Sequence, residues 1–206
     1  MSIEETNVQN IYSIIAKDFS RTRQKVWKSV DDFVNSYDYN TSFLEIGCGN
    51  GKNMLLRPSH FIGCDTCKEF VSLCKGRGLN VVQACATKLP FNDSSFDATL
   101  SVAVIHHLST DIRRESAIKE QIRVTRPGGK VFVEVWGLEN NNKATDGANS
   151  MVPWKYNGNV YERYYHFFEK SELIGYIKNM KNVTIETIYS EKYNWVIILN
   201  KLQHYQ

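Results

Sequence analysis

The stretch Phe43-Leu-Glu-Ile-Gly-Cys-Gly-Asn-Gly-Lys52 joins a short apolar segment to three glycines at alternate positions. The apolar segment has the character of a buried β-strand. Glycine permits positive φ and carries no Cβ, so Gly47, Gly49 and Gly51 let a ligand approach the backbone closely. The stretch therefore predicts a strand that ends in a tight ligand-binding turn.

A second apolar run, Phe61-Ile-Gly-Cys64, ends at Asp65. In a nucleotide-binding βαβ unit, an acid at the end of the second strand follows the glycine turn at about this separation and binds the ribose. The two features together predict a domain that binds a nucleotide cofactor. A glycine-rich turn with only a structural use is the alternative reading.

The spacing of the glycines indicates which cofactor is bound. A dinucleotide turn has the pattern G-x-G-x-x-G, with pyrophosphate on the helix N-terminus. Here the pattern is G-x-G-x-G, and Glu45 stands two positions before the first glycine. An acid there suits a ligand with an ammonium group, so we expect S-adenosylmethionine, which has an ammonium, a sulfonium and no phosphate.

Length and composition indicate one ordinary α/β domain. The 206 residues are 42% hydrophobic, and no apolar run reaches the length that spans a bilayer, so no membrane contact is expected. The N-terminus resembles no signal segment, so a cytoplasmic location is expected, with a nuclear one also open. Five cysteines, an odd number, favour reduced thiols. The pair Cys64-x-x-Cys67 has no matching second pair, so no metal site is expected.

Strand and helix patterns alternate along the chain from residue 43 to residue 136. This alternation predicts a mostly parallel sheet with helices on both faces, closed by an antiparallel hairpin near the C-terminus. Helical patterns within residues 1–40 are expected to lie over the cofactor site. Residues 137–168 begin with a segment rich in Asn and Gly, and we interpret them as an excursion on the substrate side of the sheet. The Arg126-Pro-Gly-Gly129 segment is expected to form a turn.

The net charge of +3 by itself does not imply nucleic acid, but basic residues gather in two places. Solvated helix faces or a phosphate-binding surface explain such clusters equally well. The clusters are Arg21, Arg23, Lys25 and Lys28 near Trp27, and Arg113, Arg114, Lys119, Arg123 and Arg126 around a later helix.

The alternation, the glycine turn, Asp65 and the Arg-Pro-Gly-Gly turn resemble the class I S-adenosylmethionine-dependent methyltransferases, whose Rossmann-like sheet has seven strands. A finer resemblance is to the eukaryotic tRNA wobble-uridine methyltransferases that esterify 5-carboxymethyluridine, shared with the methyltransferase domain of the AlkB-type tRNA hydroxylase. The segments that carry it are residues 11–23 with Trp27, 45–52, 101–110, 136–139, 152–154, 163–166 and 194–195. It covers nearly the whole chain and implies one methyltransferase domain over residues 1–206.

The resemblance implies transfer of methyl from S-adenosylmethionine to the carboxylate of 5-carboxymethyluridine in a tRNA anticodon loop. It places cofactor contacts at Tyr12, Arg21, Glu45, Gly47, Cys48, Gly49, Gly51, Asp65, Thr66, Cys85, Ala86, Ser101, Val102 and His107. The predicted catalytic residues are Arg23, His106, Trp136, Arg163 and His166.

Each catalytic residue type has a chemical reason. An arginine fork holds a carboxylate or phosphate, which favours Arg23 and Arg163. Histidines at the rim are candidate hydrogen-bond donors, and Trp136 or Tyr165 is a candidate stacking surface for a flipped base. A satisfied packing role for each histidine, and a core role for Trp136, are the alternatives.

Cys85 departs from the family pattern, which has an acid after the third strand to bind the adenine amino group. Members of the family also work with a small zinc-binding activator subunit. The third strand, Leu79-Asn-Val-Val-Gln83, is expected at the edge of the sheet, where an apolar edge invites pairing with such a partner. A methyltransferase for a small acid, and an inactive RNA-binding scaffold, remain alternative functions.

Overall fold

The computed structural model describes residues 1–139 and 141–203. Asn140 and residues 204–206, which belong to the predicted domain and excursion, lie outside the described residues. No helix of the described part is both long and apolar enough to cross a membrane. The apolar segment of the glycine stretch forms a strand of four buried residues, Phe43–Ile46, within a seven-stranded sheet.

The strands are β1 Phe43–Ile46, β2 Phe61–Asp65, β3 Val81–Gln83, β4 Phe96–Val102, β5 Thr125–Trp136, β6 Asn149–Tyr156, β7 Asn159–His166, β8 Val183–Glu191 and β9 Asn194–Lys201. The α-helices are α1 Asn10–Thr22, α2 Lys28–Asn35, α3 Lys68–Gly76, α4 Asp111–Val124 and α5 Lys170–Lys178. A π-helical segment, Glu5–Gln9, precedes α1.

The large sheet has the strand order β3-β2-β1-β4-β5-β9-β8. Strands β1 to β5 pair parallel with one another, whereas β9 pairs antiparallel with both β5 and β8. This confirms the predicted mostly parallel sheet, its antiparallel closing hairpin and the position of β3 at one edge.

Two apolar cores lie on opposite faces of this sheet, because successive side chains of a strand point to opposite faces. Leu44 and Ile46 join a core that includes buried residues of α4 and α5. Phe43 joins the other core, with buried residues of α2 and α3. Helices therefore cover both faces of the sheet, as the alternation along the chain predicts.

The predicted Arg-Pro-Gly-Gly turn is instead the first part of the long strand β5. Phe96 pairs with Thr125 and Ala98 with Lys130, so residues 126–129 bulge out of the ladder between β4 and β5. A Cβ at Gly129 would lie 2.4 Å from the carbonyl oxygen of Asp97. Glycine at this position permits a close approach of two backbones rather than a reversal of the chain.

The excursion contains a β-hairpin that sequence patterns did not predict. Strands β6 and β7 form a separate two-stranded antiparallel sheet. Its turn places Asn157 at φ 48° and Gly158 at φ 77°, and an Asn-Gly pair with two positive φ angles is a favoured hairpin connection. The Asn157-Gly158 dipeptide is the signal that identifies the hairpin. One hairpin side chain, Trp154, packs against Phe19 of α1.

Candidate active site

A cavity opens at the carboxyl ends of β1, β2 and β4, under α1 and the β6–β7 hairpin. This is the edge at which open α/β sheets bind ligands. Most of the predicted site residues line it: Tyr12, Arg23, Glu45, Gly47, Cys48, Gly49, Asp65, Thr66, Cys85, Ala86, Val102, His106, His107, Trp136 and Arg163.

The glycine turn and the end of β2 are fixed to each other through Asp65. One oxygen of this carboxylate, Oδ2, accepts the backbone N–H of Gly49 at 2.8 Å, and Oδ1 accepts that of Cys67 at 2.9 Å. A Cβ at Gly49, whose φ is 53°, would meet no atom within 4 Å. Burial raises the pKa of Asp65, and the backbone N–H groups oppose that effect. Each oxygen keeps capacity for a further hydrogen bond from a ligand hydroxyl.

Glu45 is a buried carboxylate at the end of β1 that lacks one partner. Its Oε1 accepts a hydrogen bond from Asn53 Nδ2 at 2.6 Å, whereas Oε2 has no partner among the described residues. Burial raises the pKa of Glu45 to about 8, and Lys52 and the Asn53 hydrogen bond oppose the rise. An unpartnered buried acid oxygen in a cavity wall fits a ligand ammonium.

Arg163 of β7 is 4% exposed and brings a positive charge to the other end of the cavity. Its Nη1 donates to the hydroxyl of Tyr165 at 2.9 Å and to that of Tyr12 at 3.3 Å. Its Nε is buried and has no hydrogen-bond partner among the described residues. The guanidinium is thus bonded only to neutral phenol oxygens within that part of the chain, and it retains free donors for an anion.

Hydrogen bonds and burial define the protonation of the two neighbouring histidines, His106 and His107. His107 Nδ1 lies 2.9 Å from the carbonyl oxygen of Tyr164, which can only accept, so Nδ1 carries the proton and Nε2 accepts from Tyr12 at 3.0 Å. Burial lowers the pKa of His107 to about 3. Burial likewise holds the pKa of His106 well below its usual range. Both rings are therefore neutral near pH 7.

Aromatic rings form the wall around Arg163. Trp136 stacks on Tyr165 with ring centroids 4.5 Å apart, and Lys143 Nζ lies 4.5 Å from the Trp136 ring centroid. The guanidinium of Arg163 lies 4.9 Å from the ring centroid of Trp154, and that of Arg23 lies 5.1 Å from it. This end of the cavity is cationic and aromatic.

The structure does not bring Arg21, Gly51, Ser101 and His166 to the cavity wall. The alternation of side chains along β7 explains why His166 lies outside the cavity. Arg163 and Tyr165 face the cavity, so Tyr164 and His166 face away from it. His166 instead contacts Asn149 at 2.9 Å and Glu172 at 2.8 Å. Ser101, on β4, is fully buried.

Two of these residues have local reasons for their orientation. The Arg21 side chain is 75% exposed and pairs with Asp18 in the last turns of α1. A Cβ at Gly51 would meet the side chains of Leu79 and Cys74, so this glycine faces the core.

Other cavity residues had no signal in the sequence pattern. Glu4 and Lys143 line the cavity but come from segments without a recognisable motif. Asn53 directly follows the glycine stretch and donates a hydrogen bond to Glu45. Its position next to the stretch is the signal that could have identified it. No group of three potential metal ligands among His, Cys, Asp and Glu occurs in the described ranges.

The fold and the cavity define the class of protein. A seven-stranded sheet of this order, a glycine turn after β1 and an acid at the end of β2 are those of a class I S-adenosylmethionine-dependent methyltransferase. Residues 44–133 match a family model described as a methyltransferase domain. S-adenosylmethionine is the cofactor that this class uses, and Glu45 and Asp65 present free acceptors that fit its ammonium and ribose.

Solved structures show the same fold. A S-adenosylmethionine-dependent methyltransferase from Methanosarcina mazei aligns with a TM-score of 0.73 and 22% identity, over 86% of this chain and 99% of that one. A complex between the Haloferax volcanii Trm112 methyltransferase activator and a methyltransferase gives a TM-score of 0.73 and 12% identity, with both chains fully covered.

Curated relatives show the particular family. The tRNA (carboxymethyluridine(34)-5-O)-methyltransferase of Schizosaccharomyces pombe is 34% identical over 98% of this chain and 100% of its own length. Those of Xenopus tropicalis and Arabidopsis thaliana are 30% and 44% identical over 98% and 66% of this chain. The chain spans only 42% and 34% of the lengths of these two relatives. This chain belongs to the tRNA (carboxymethyluridine(34)-5-O)-methyltransferase family.

Proposed function

We propose that this chain transfers a methyl group from S-adenosylmethionine to the carboxylate of 5-carboxymethyluridine at the wobble position of tRNA. The product is the methyl ester, 5-methoxycarbonylmethyluridine. The names of the family relatives support the reaction. They do not favour a small-molecule methyltransferase or an inactive scaffold.

The observation that carries the proposal is the buried guanidinium of Arg163. Burying an unpaired charge is costly, and an anion that supplies paired oxygens removes that cost. The free Nε donor and the fork geometry match a carboxylate. We therefore assign Arg163 to the carboxylate of the substrate, with Arg23 and Lys143 close enough to add positive charge at the rim.

The chemistry requires orientation more than proton transfer. A carboxylate with a pKa of about 4 is ionised near pH 7, so the nucleophile exists without a general base. The neutral, hydrogen-bonded state of His106 and His107 agrees with this requirement. The bound cofactor supplies an electrophilic methyl on its sulfonium. The protein has to hold the carboxylate in line with it and exclude water, which α1 and the hairpin do from above.

The stacked pair of Trp136 and Tyr165 is the proposed surface for the uracil ring. Bases extruded from an RNA loop commonly stack on aromatic side chains. The ring of Trp136 is partly exposed, whereas Tyr165 lies behind it and is buried. Trp136 therefore presents the accessible face, and Tyr165 supports its orientation.

The two basic clusters differ in their availability for phosphate groups. Every basic side chain of the cluster around α4 pairs with a carboxylate: Arg113 with Glu4, Arg114 with Asp111, Lys119 with Glu115, Arg123 with Glu120, and Arg126 with Asp97. In the N-terminal cluster, Arg21 pairs with Asp18 and Lys28 with Asp32, whereas Arg23 lies at the cavity mouth against Trp154 and has no carboxylate partner among the described residues. We propose that this N-terminal cluster contacts the anticodon loop.

We also propose that a small zinc-binding activator subunit pairs with the edge strand β3. The strand has only three residues, and its open edge offers backbone groups to another chain. The Haloferax volcanii neighbour is a methyltransferase of the same fold in complex with the Trm112 activator. Reduced amide exchange at Val81 and Val82 upon addition of the activator supports this proposal, and unchanged exchange contradicts it.

The proposed reaction is tested by transfer of labelled methyl from S-adenosylmethionine to tRNA. The substrate bears 5-carboxymethyluridine at position 34, and the matched control tRNA bears unmodified uridine there. We expect label in the first tRNA only, lost on mild alkaline treatment because an ester hydrolyses. Alkali-stable label, or equal label in both tRNAs, contradicts carboxylate esterification. Reactions with and without the activator show whether the partner is required.

A further inference from the structure

The cavity has a third section, beyond Asp65. No ligand group has yet been assigned to it, because the carboxylate is assigned to Arg163 and the ammonium to Glu45. Glu45 and Asp65 lie at the ends of adjacent strands, β1 and β2. A cofactor with its ammonium at Glu45 and its ribose at Asp65 therefore extends toward β3. The wall there consists of Ala84, Cys85 and Ala86 after β3, with Val8 and Leu108 nearby in the cavity lining. This inference rests on the cofactor of the proposed function.

A purine base in that section presents an exocyclic amino group, which needs an acceptor. Cys85 is a weak acceptor, and its hydroxyl neighbour Thr87 lies 3.2 Å from its sulfur. The other carboxylates of the cavity wall, Glu45 and Asp65, are placed for the ammonium and the ribose. Glu4, from the segment before α1, is the remaining carboxylate in the lining of the described cavity.

The carboxylate of Glu4 is held in a fixed position by residues at the start of α4. Its Oε1 accepts from the Ser109 backbone N–H at 2.8 Å, from Ser109 Oγ at 3.0 Å and from Arg113 Nε at 2.8 Å. Its Oε2 accepts only from Arg113 Nε, at 3.0 Å, among the described residues. The side chain is 8% exposed. Oε2 thus keeps a free lone pair on a carboxylate that is otherwise anchored.

Arg113 also connects Glu4 to the residue after β3. Its Nη2 lies 4.0 Å from Cys85 Sγ, so Glu4 and Cys85 contact the same guanidinium. The sheet provides no strong acceptor at Cys85. Glu4, from the N-terminal segment, provides one at the same end of the cavity.

We propose that Glu4 accepts a hydrogen bond from the exocyclic amino group of the cofactor's adenine. In this role Glu4 is a cofactor-specificity residue that arrives from the N-terminus. Binding of adenine then adds a contact to the segment that precedes α1. A purine that carries a carbonyl oxygen in place of the amino group places one acceptor oxygen against another, that of Glu4. Such a purine therefore binds less tightly.

The test compares S-adenosylhomocysteine with S-inosylhomocysteine, which has that carbonyl oxygen. Dissociation constants are measured by isothermal titration calorimetry for the wild-type chain, Glu4→Gln and Glu5→Gln. The adjacent Glu5 bonds to Ser2 and lies outside the cavity lining, so its variant is the matched control. A glutamine amide both donates and accepts, so it can contact either purine.

We expect the wild-type chain and Glu5→Gln to prefer S-adenosylhomocysteine by about tenfold or more, as for hydrogen bonds to charged groups. We expect Glu4→Gln to reduce that preference to about threefold or less. The ratio of the two constants is the readout, because a loosened N-terminus weakens both ligands alike.

Two results overturn the proposal. An unchanged ratio in Glu4→Gln shows that backbone acceptors near Cys85, and not Glu4, contact the amino group. The assignment of S-adenosylmethionine as the cofactor is not affected by this result. Equal binding of the two ligands by the wild-type chain shows that the protein makes no hydrogen bond to the amino group. If the wild-type chain binds neither ligand, the cofactor and the proposed function fail together with this inference.

Discussion

The two ends of the cavity contain acidic and basic groups, respectively, and originate differently in the chain. The end at β1 and β2 contains the carboxylates of Glu45 and Asp65, both on strands of the main sheet. The end under the hairpin contains the guanidinium of Arg163 and the ammonium of Lys143, both from the excursion after β5. We call these the acidic end and the basic end.

Groups of opposite sign at its two ends allow one cavity to orient two charged ligands. The methyl donor has an ammonium and a sulfonium beside one carboxylate and so a net positive charge, whereas the proposed acceptor, with a carboxylate and phosphates, is negative. The charges of the two ends therefore favour one arrangement of the two ligands over the reversed one. Mutations at one end should therefore leave the ligand of the other end almost unaffected.

The largest expected effect is at the basic end. Replacement of Arg163→Ala should lower kcat/KM for the modified tRNA by about a thousandfold, the range found when one partner of a buried charged pair is removed. Affinity for S-adenosylhomocysteine should change by about threefold or less. Methyl transfer and calorimetric binding are measured on the same preparation. An equal loss of both would show that Arg163 only supports Tyr12 and the cavity as a whole.

Arg163→Lys separates charge from geometry in the same position. Lysine keeps the positive charge but lacks the planar fork. Activity between that of the wild-type chain and Arg163→Ala is expected. Wild-type activity in this variant would show that charge without bidentate geometry suffices.

A smaller effect is expected at the acidic end. Asp65→Asn removes an acceptor for the ribose and also turns one acceptor of the Gly49 and Cys67 backbone N–H groups into a donor, so cofactor affinity should fall by about thirtyfold to a hundredfold. Binding of tRNA, measured without cofactor, should stay within about twofold. A comparable loss of tRNA affinity would contradict the separation of the two ends.

The pH dependence of cofactor binding probes Glu45. Its pKa of about 8 in the free protein means that the carboxyl is mostly protonated below that pH. Because an ammonium contact favours the ionised form, binding releases a proton and affinity rises with pH, by about tenfold between about pH 6 and pH 7. The slope should disappear in Glu45→Gln. A wild-type affinity that is flat or falls over this range contradicts the ammonium assignment.

The smallest effect is expected at the rim of the basic end. Lys143→Gln should raise KM for tRNA by about threefold and reduce the salt dependence of tRNA binding by about one counterion. Lys155, on β6 of the same excursion, is exposed but lies outside the cavity lining, so Lys155→Gln is the matched control. Identical salt slopes for the wild-type chain and Lys143→Gln would show that Lys143 does not contact tRNA.

The acidic end and the sheet were predictable from the sequence because their signals are local. The glycine turn, Glu45 and Asp65 lie within about twenty residues of each other on a βαβ pattern that has few structural solutions. Strand edges and the closing hairpin followed from the same alternation.

The basic end was less predictable because it depends on contacts between distant segments. Trp154 donates to Asp18 at 3.1 Å across 136 positions of sequence, and no local pattern encodes such a contact. Arg163 and His166 illustrate the limit. Both residue types suit the chemistry, but only the register of β7 decides that Arg163 faces the cavity and His166 faces away.

The excursion leaves and rejoins the main sheet at one place. Gly137 and Phe168 form a bridge, and the backbone N–H of Leu138 donates to the carbonyl oxygen of Phe168 at 2.9 Å. An insertion whose two ends are neighbours can be exchanged between related chains without disturbing the strands that hold the cofactor. The cavity residues that this insertion contributes, Lys143 and Arg163, can therefore differ between related chains while strands β1 and β2 keep their positions.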